Sequence, residues 1–202
     1  MKIEDYKLDP CNLSSLPYYK RAYLKKVTVV HEKDYKGGKL SDPYFRCLHD
    51  LKDLEAVKIP NGYILETLDI LDVQVQKDLS DFITKCYPLE RLPVSQIKTM
   101  IDSKYFDANL WLKLSTLEGE IVATGISEID REVKEGMLEW IQVLPTYRKQ
   151  GLGKLIVKAT LNYFKGKVEF VTVSGKVEDV SQPALLYESC GFKDKVIWHF
   201  VK

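Results

Sequence analysis

The sequence contains few of the residues that bind metals or form disulfides. Its cysteines are far apart and form no C-x-x-C pair: Cys11, Cys47, Cys86 and Cys190. This spacing argues against a zinc site and against a disulfide framework, and it is typical of proteins in a reducing compartment. Histidine is equally rare, and neither His31 nor His49 has a catalytic grouping around it in the sequence. We therefore expect no metal in this protein.

Long apolar runs and an excess of one charge are also missing. No apolar stretch approaches the ~20 residues that a membrane-spanning helix needs. The first residues, MKIEDYKLDP, lack the apolar segment of a signal peptide, so we expect a cytoplasmic protein. The net charge of +1 gives no overall attraction to nucleic acid or to an anionic membrane. With 45% hydrophobic and 29% charged residues, the chain is not disordered in composition and can bury a substantial core.

The most informative stretch is residues 137–158, MLEWIQVLPTYRKQGLGKLIVK. A β-prone run ends at Pro145, a basic turn with two glycines follows, and an amphipathic helical pattern comes next. The first N–H groups of a helix have no intrahelical partner, and the helix dipole places partial positive charge there. Gly151 and Gly153 would let an anion approach the backbone closely. The cations around the turn are Arg148, Lys149 and Lys154. The stretch therefore predicts a cradle for a diphosphate.

Two common phosphate-binding motifs do not fit this turn. A P-loop would need glycine where Arg148 stands, and serine or threonine where Leu155 stands. A dinucleotide-binding fingerprint would need a third glycine where Ile156 stands. Both motifs are excluded.

The pattern that remains is V-x-P-x-x-R-x-x-G-x-G, which runs from Val143 to Gly153. It resembles the acyl-CoA-binding motif of the GNAT N-acetyltransferase superfamily. A second stretch, from Pro183 to Phe192 with Tyr187 inside it, resembles the A-x-x-L-Y-x-x-x-G-F signature of the same superfamily. The two motifs follow each other in the family's order and spacing. The resemblance covers residues 62–202.

The resemblance implies an α+β fold with a central mixed, mostly antiparallel sheet flanked by helices. The patterns along residues 62–202 predict the element order β-α-α-β-β-β-α-β-α-β, which this fold requires. Residues 1–61 are expected to form an N-terminal extension packed on that main domain, with a boundary at Pro60-Asn61-Gly62. Within the extension, Tyr23 to Val30 predicts a strand and Tyr44 to Leu54 a short helix.

The resemblance also implies that acetyl-CoA is the co-substrate. The strands before and after the cradle are expected to splay apart, with the pantetheine arm in the gap and the pyrophosphate on the backbone amides of residues 149–154. The residues expected to bind acetyl-CoA are Ile141, Gln142, Val143, Arg148, Lys149, Gln150, Gly151, Leu152, Gly153 and Lys154.

Acetyl transfer to an amine needs a neutral nucleophile, and an amine with a pKa of about 10.4 is mostly protonated at pH 7. A general base is therefore useful, as is an acid for the departing thiolate. Tyr187 matches the family tyrosine often assigned as that acid, with a packing role as the alternative. Glu139 is the leading candidate for the base because a carboxylate in this apolar strand is unusual, with a solvated surface charge as the alternative. Glu128 and His199 are weaker candidates.

These residues predict an acyltransferase that moves the acetyl group of acetyl-CoA directly to an amine, without a covalent intermediate on Cys190. The alternative is a non-catalytic acyl-CoA-binding or regulatory module of the same fold. The acceptor stays open among small amines, protein N-termini, lysine side chains and aminoglycosides. The tyrosines of residues 1–61 would line an acceptor pocket or cover a homodimer interface. The alternative is that this segment only adds strands and a helix at the edge of the sheet. We expect neither nucleic acid nor a membrane as a partner.

Overall fold

A computed structural model of the protein describes residues 2–8, 28–37, 41–179 and 181–201. The helices are α1 (Ile3–Leu8), α2 (Val73–Cys86), α3 (Val94–Ile101), α4 (Leu152–Phe164) and α5 (Pro183–Glu188). The strands are β1 (Thr28–His31), β2 (Ser41–His49), β3 (Tyr63–Thr67), β4 (Trp111–Thr116), β5 (Ile121–Asp130), β6 (Glu135–Val143), β7 (Phe170–Lys176) and β8 (Lys193–Val201). From β3 onward, the order of elements is the predicted one. None of the described helices has the length and apolar character that crossing a bilayer requires.

The eight strands of the described ranges form one sheet in the order β1-β8-β2-β7-β6-β5-β4-β3. Neighbouring strands are antiparallel except for β6 and β7, which are parallel. The predicted α+β fold, with a mixed and mostly antiparallel sheet flanked by helices, is confirmed.

Strand β2 comes from the segment predicted as an extension, yet it lies inside the sheet. Tyr44 pairs with Lys176 of β7 on one side and with Trp198 of β8 on the other. The described part of residues 1–61 therefore contributes interior hydrogen bonds to the sheet, and the division at residue 61 stays a prediction. Of the predicted strand from Tyr23 to Val30, only the end lies among the described residues, as part of β1. Among the tyrosines of residues 1–61 for which we predicted a role in an acceptor pocket or an interface, Tyr18, Tyr19 and Tyr23 lie outside the described residues.

The short helix predicted from Tyr44 to Leu54 is wrong, because most of that stretch is β2. Phe45 and Cys47 are buried on one face of the strand, while Arg46 and Leu48 are buried on the other. A strand that is buried on both faces has no exposed polar side to reveal its two-residue period. The pairing with β7 and β8 decides its conformation instead.

Helix α4 sits close to the sheet because two strand glycines lack side chains. A Cβ added to Gly125 would lie 2.5 Å from Ile156 Cγ2, and one added to Gly136 would lie 2.6 Å from the ring of Phe164. In the first turn of α4, a Cβ added to Gly153 would lie 3.4 Å from Leu186 Cδ2 of α5 and 3.6 Å from Val143 Cγ2 of β6. These contacts set the position of the N-terminus of α4 relative to β6.

Candidate active site

Strands β6 and β7 hydrogen-bond only along their first residues. Their pairing runs from Glu135 opposite Phe170 to Leu138 opposite Val173. Beyond that point β6 continues to Val143 and β7 to Lys176 without pairing to each other. A gap therefore opens between the two strands, as the resemblance led us to expect.

The backbone groups of Ile141 and Val143 point into this gap. The N–H of Leu144 donates to the carbonyl of Val122 at 2.9 Å, so residues 144 and 142 turn their hydrogen-bonding groups toward β5. The direction alternates along an antiparallel strand, and residues 141 and 143 therefore turn toward β7.

Gln142 was predicted to bind acetyl-CoA together with Ile141 and Val143, but it does not face the gap between β6 and β7. Its backbone groups turn toward β5, and its buried side-chain Oε1 accepts a hydrogen bond from Thr124 Oγ1. Both features follow from the two-residue period of the strand. We therefore leave Gln142 out of the proposed donor contacts.

The chain turns from β6 into α4 through a strained segment. Lys149 and Gly151 have left-handed backbone conformations, with φ angles of 62° and 81°. Such a conformation costs a residue with a side chain roughly 1–2 kcal/mol, which explains glycine at the second position. The first bond of the helix joins the Leu155 amide to the Gly151 carbonyl at 3.0 Å. The amides of residues 152–154 precede that bond and are the free donors of the helix N-terminus.

Tyr187, the predicted acid, is 7% exposed and lies on α5. Its ring packs near Phe45 and Phe192, with centroid distances of 6.3 and 5.7 Å. Burial raises the pKa of Tyr187 well above its usual value, and the neighbouring phenol of Tyr87 adds to the shift. The phenol therefore keeps its proton throughout the neutral range, as a proton donor must.

Glu139, the predicted base, lies where β6 leaves β7, directly after Leu138. On the other edge of β6, two consecutive residues of β5 pair with residues that are not consecutive: Ser127 pairs with Leu138, and Ile126 pairs with Trp140. Glu139 is thus the extra residue of a β-bulge, and its side chain is half-buried. A bulge bends the strand and redirects a side chain, and this one lies at the opening of the gap.

Comparison with known proteins identifies a family domain within the chain. Residues 108–194 match the family model described as the acetyltransferase (GNAT) domain. This part of the chain is therefore a GNAT acetyltransferase domain, and the fold is that of solved GNAT structures. No curated protein matches its sequence.

Solved structures with the GNAT fold are similar to this chain in shape but distant in sequence. A GCN5-related N-acetyltransferase from Sphaerobacter thermophilus is 19% identical with a TM-score of 0.63, over 80% of this chain and 52% of the other. This chain thus spans about half the length of that protein. The ribosomal-protein-S18-alanine N-acetyltransferase from Escherichia coli is 16% identical with a TM-score of 0.55, over 69% of this chain and 93% of the other. A chain of the NatC complex bound to Gag peptide and CoA is 16% identical with a TM-score of 0.57, over 70% of this chain and 99% of the other.

The guanidinium of Arg148 in this GNAT domain is bonded to backbone carbonyls. Its Nε donates to the carbonyl of Val143 at 3.1 Å, and its Nη2 donates to that of Cys86 at 2.6 Å. It also lies over the ring of Tyr87, 5.5 Å from the centroid. Arg148 therefore ties the end of α2 to β6. Its contact with a diphosphate stays a prediction.

Tyr87 is a residue of the GNAT gap that the sequence analysis missed. Its phenol donates a hydrogen bond to the carbonyl of Ile141 at 3.1 Å. Burial raises the pKa of Tyr87, against the opposing effect of the nearby Arg148. The sequence carried no signal for this role, because a tyrosine before proline at a helix end reads only as a helix stop.

The remaining catalytic candidates do not reach the gap. His199 lies on β8, which β2 separates from β7, and it contacts the Glu32 carboxylate and stacks on Tyr35 at 3.8 Å. Glu128 is buried opposite Met137, in the part of β6 that still pairs with β7. Among the residues that the structure describes, no three His, Cys, Asp or Glu side chains are grouped to hold a metal.

Cys190 is buried, and burial raises the pKa of its thiol. The nucleophilic form of cysteine is the thiolate, which a raised pKa disfavours at neutral pH. The environment of Cys190 therefore supports the prediction of direct transfer without a covalent intermediate.

Proposed function

We propose that this protein is an N-acetyltransferase that transfers the acetyl group of acetyl-CoA directly to an amine. The observation that carries the proposal is the gap between β6 and β7, which leads from Glu139 to the N-terminus of α4. Backbone groups of Ile141 and Val143 point into the gap, and the free amides of residues 152–154 lie beyond its end. A ligand with amide groups along a flexible arm and a diphosphate at one end matches both features. The presence of CoA in the NatC structure supports the same assignment.

The donor would be held mainly by backbone. The pantetheine arm would bond to the backbone groups of β6 that face the gap, where the carbonyls of Ile141 and Val143 already accept hydrogen bonds from Tyr87 and Arg148. The pyrophosphate would accept hydrogen bonds from the cradle. The residues proposed for these contacts are Ile141, Val143, Arg148, Lys149, Gln150, Gly151, Leu152, Gly153 and Lys154. Backbone recognition of this kind needs glycine at the left-handed turn more than any particular side chain.

Acetyl-CoA, when bound, supplies the thioester that an amine can attack. The new C–N bond forms as the C–S bond breaks. Tyr187 would donate its phenolic proton to the departing sulfur, while Glu139 would accept a proton from the attacking nitrogen, directly or through water. Proton exchange with solvent then restores both side chains. The position of Tyr187 in the second sequence motif and the bulge position of Glu139 at the gap support these roles.

The test is thiol release from acetyl-CoA with a panel of amines that covers small amines, peptide N-termini, lysine peptides and aminoglycosides. We expect turnover with at least one class, and a fall of roughly 10²-fold in kcat for Glu139→Gln if that carboxylate is the base. Glu169→Gln is the matched control, since Glu169 is exposed and pairs with Lys134 on the surface. Tight CoA binding without turnover across the panel would instead favour the non-catalytic acyl-CoA-binding module.

A further inference from the structure

The turn that follows α2, residues 87–92, contacts both of the splayed strands. On one side, the Tyr87 phenol donates to the carbonyl of Ile141 on β6. On the other side, Lys176 Nζ at the end of β7 lies 3.1 Å from Glu90 Oε1. A single short turn is thus bonded to each strand beyond the point where the two strands stop pairing. It therefore lies across the gap.

The ring of Tyr87 is held in place by several independent contacts. Its hydroxyl is bonded to Ile141, and one ring face lies under the guanidinium of Arg148. The same guanidinium is bonded to the carbonyls of Cys86 and Val143, so it joins the backbone just before the tyrosine to β6. A cation over an aromatic ring stabilises this arrangement further. Tyr87 is therefore a rigid wall of the gap.

The acyl end of the donor would reach this wall. With the diphosphate at the N-terminus of α4, the arm runs back along β6 past Val143 to Ile141, where Tyr87 is bonded. Tyr187 lies on α5, whose Leu186 lies close to Gly153 in the first turn of α4. In this pose the thioester that Tyr187 would protonate on departure would lie near Tyr87.

We propose that Tyr87 is a specificity-determining residue that limits the acyl group of the donor to a short chain. The inference rests on the proposed function, because it assumes that an acyl-CoA occupies the gap. A bulky ring fixed beside Ile141 leaves no path for further methylenes of a longer acyl chain. Removal of the ring opens that path, whereas removal of the hydroxyl alone leaves the wall in place.

The test measures the Kd values of acetyl-CoA and hexanoyl-CoA for the full chain by isothermal titration calorimetry. We expect the wild-type protein to bind hexanoyl-CoA at least about tenfold more weakly, a discrimination within the range that pocket size provides. Tyr87→Ala should bring the two values within about threefold of each other, mainly by tighter binding of hexanoyl-CoA. Tyr87→Phe should retain the wild-type ratio.

Tyr163→Ala is the matched control, since Tyr163 is exposed on α4, and it should keep the wild-type ratio. Should Tyr87→Ala fail to fold, as judged by circular dichroism, Tyr87→Leu replaces it, because leucine keeps an apolar side chain but removes the aromatic ring. An unchanged ratio in the Ala or Leu variant, or equal binding of both thioesters by the wild type, would overturn the inference while leaving the proposed function intact. If the wild type binds neither thioester, the proposed function fails and the inference fails with it.

Discussion

The Arg46 guanidinium and the Glu135 carboxylate form an ion pair of 2.5 Å in the interior of the sheet. Arg46 is 2% exposed and Glu135 is not exposed at all. Arg46 also donates to Tyr6, Thr172 and Ser174, and it lies over the ring of Trp198. The pair joins β2, from the N-terminal part of the chain, to β6, whose far end lines the gap. The N-terminal strand is thereby coupled to the strand that carries the site.

Loss of one partner of this pair should destabilise the fold strongly. We expect Arg46→Met to lower the free energy of unfolding by about 3–5 kcal/mol, because the buried carboxylate of Glu135 would lose the positive charge of Arg46. The double variant Arg46→Met/Glu135→Met should recover much of that loss. Urea unfolding followed by tryptophan fluorescence measures the free energy of unfolding of both variants.

The control is an exposed ion pair. Lys104→Met, which breaks the pair with Glu132 on the surface, should cost less than about 1 kcal/mol. Equal losses in the buried and exposed variants would contradict this account.

Removal of the Tyr187 hydroxyl should reduce the chemical step more than donor binding. In Tyr187→Phe we expect kcat with a responsive amine to fall by roughly 10²-fold, with the KM for acetyl-CoA nearly unchanged. The ring still fills its place beside Phe45, so stability should change little. Steady-state kinetics and a thermal melt measure the two effects. A rise in KM with constant kcat would show instead that the hydroxyl acts in binding.

Two buried thiols should make stability depend on alkaline pH. Burial raises the pKa of Cys47 and of Cys86 to about 11 in the folded protein, from an ordinary value of 9.0. Between pH 9 and 11 the unfolded chain loses thiol protons that the folded protein retains. The free energy of unfolding is therefore unaffected by these thiols below pH 9 and falls as the pH rises to 11. The loss is up to about 2–3 kcal/mol for each thiol.

Urea unfolding at intervals between pH 8 and 11 measures this dependence. Cys47→Ala and Cys86→Ala should each be less stable than the wild type at pH 8 but should lose less stability as the pH rises. The same slope in the variants as in the wild type would assign the dependence to other groups.

The close contact between α4 and the sheet links packing to donor binding. In Gly125→Ala, the new methyl group would meet Ile156, near the N-terminal half of α4, so the helix and its cradle must shift. We expect a loss of about 1–3 kcal/mol in stability together with a raised Kd for CoA. Gly136→Ala is the matched control, since its methyl group would meet Phe164 at the opposite end of the helix. That variant should lose comparable stability but have a smaller effect on CoA binding. Equal effects of both variants on CoA binding would contradict the link between helix packing and donor binding.

Much of the fold from β3 onward was predictable because its signals are local. The alternation and helical spacing of residues 62–202 predicted ten elements in the order observed. The stretch from Val143 to Gly153 carries proline, arginine and glycine at positions where one continuous turn needs them, so it could be identified without knowledge of distant contacts. The helix predicted from Tyr44 failed because a strand buried on both faces has no exposed side.

The sequence by itself indicated the GNAT domain, because a contiguous motif and short-range backbone geometry encode it. The donor-binding residues read from the same motif stay a prediction. Only the tertiary structure decided that β2 lies between β7 and β8, that Gln142 faces away from the gap, and that Tyr87 is bonded to Ile141 inside it. These relations join residues far apart in the chain. They depend on which backbone groups are left open after the sheet has formed, and no spacing along the sequence records that.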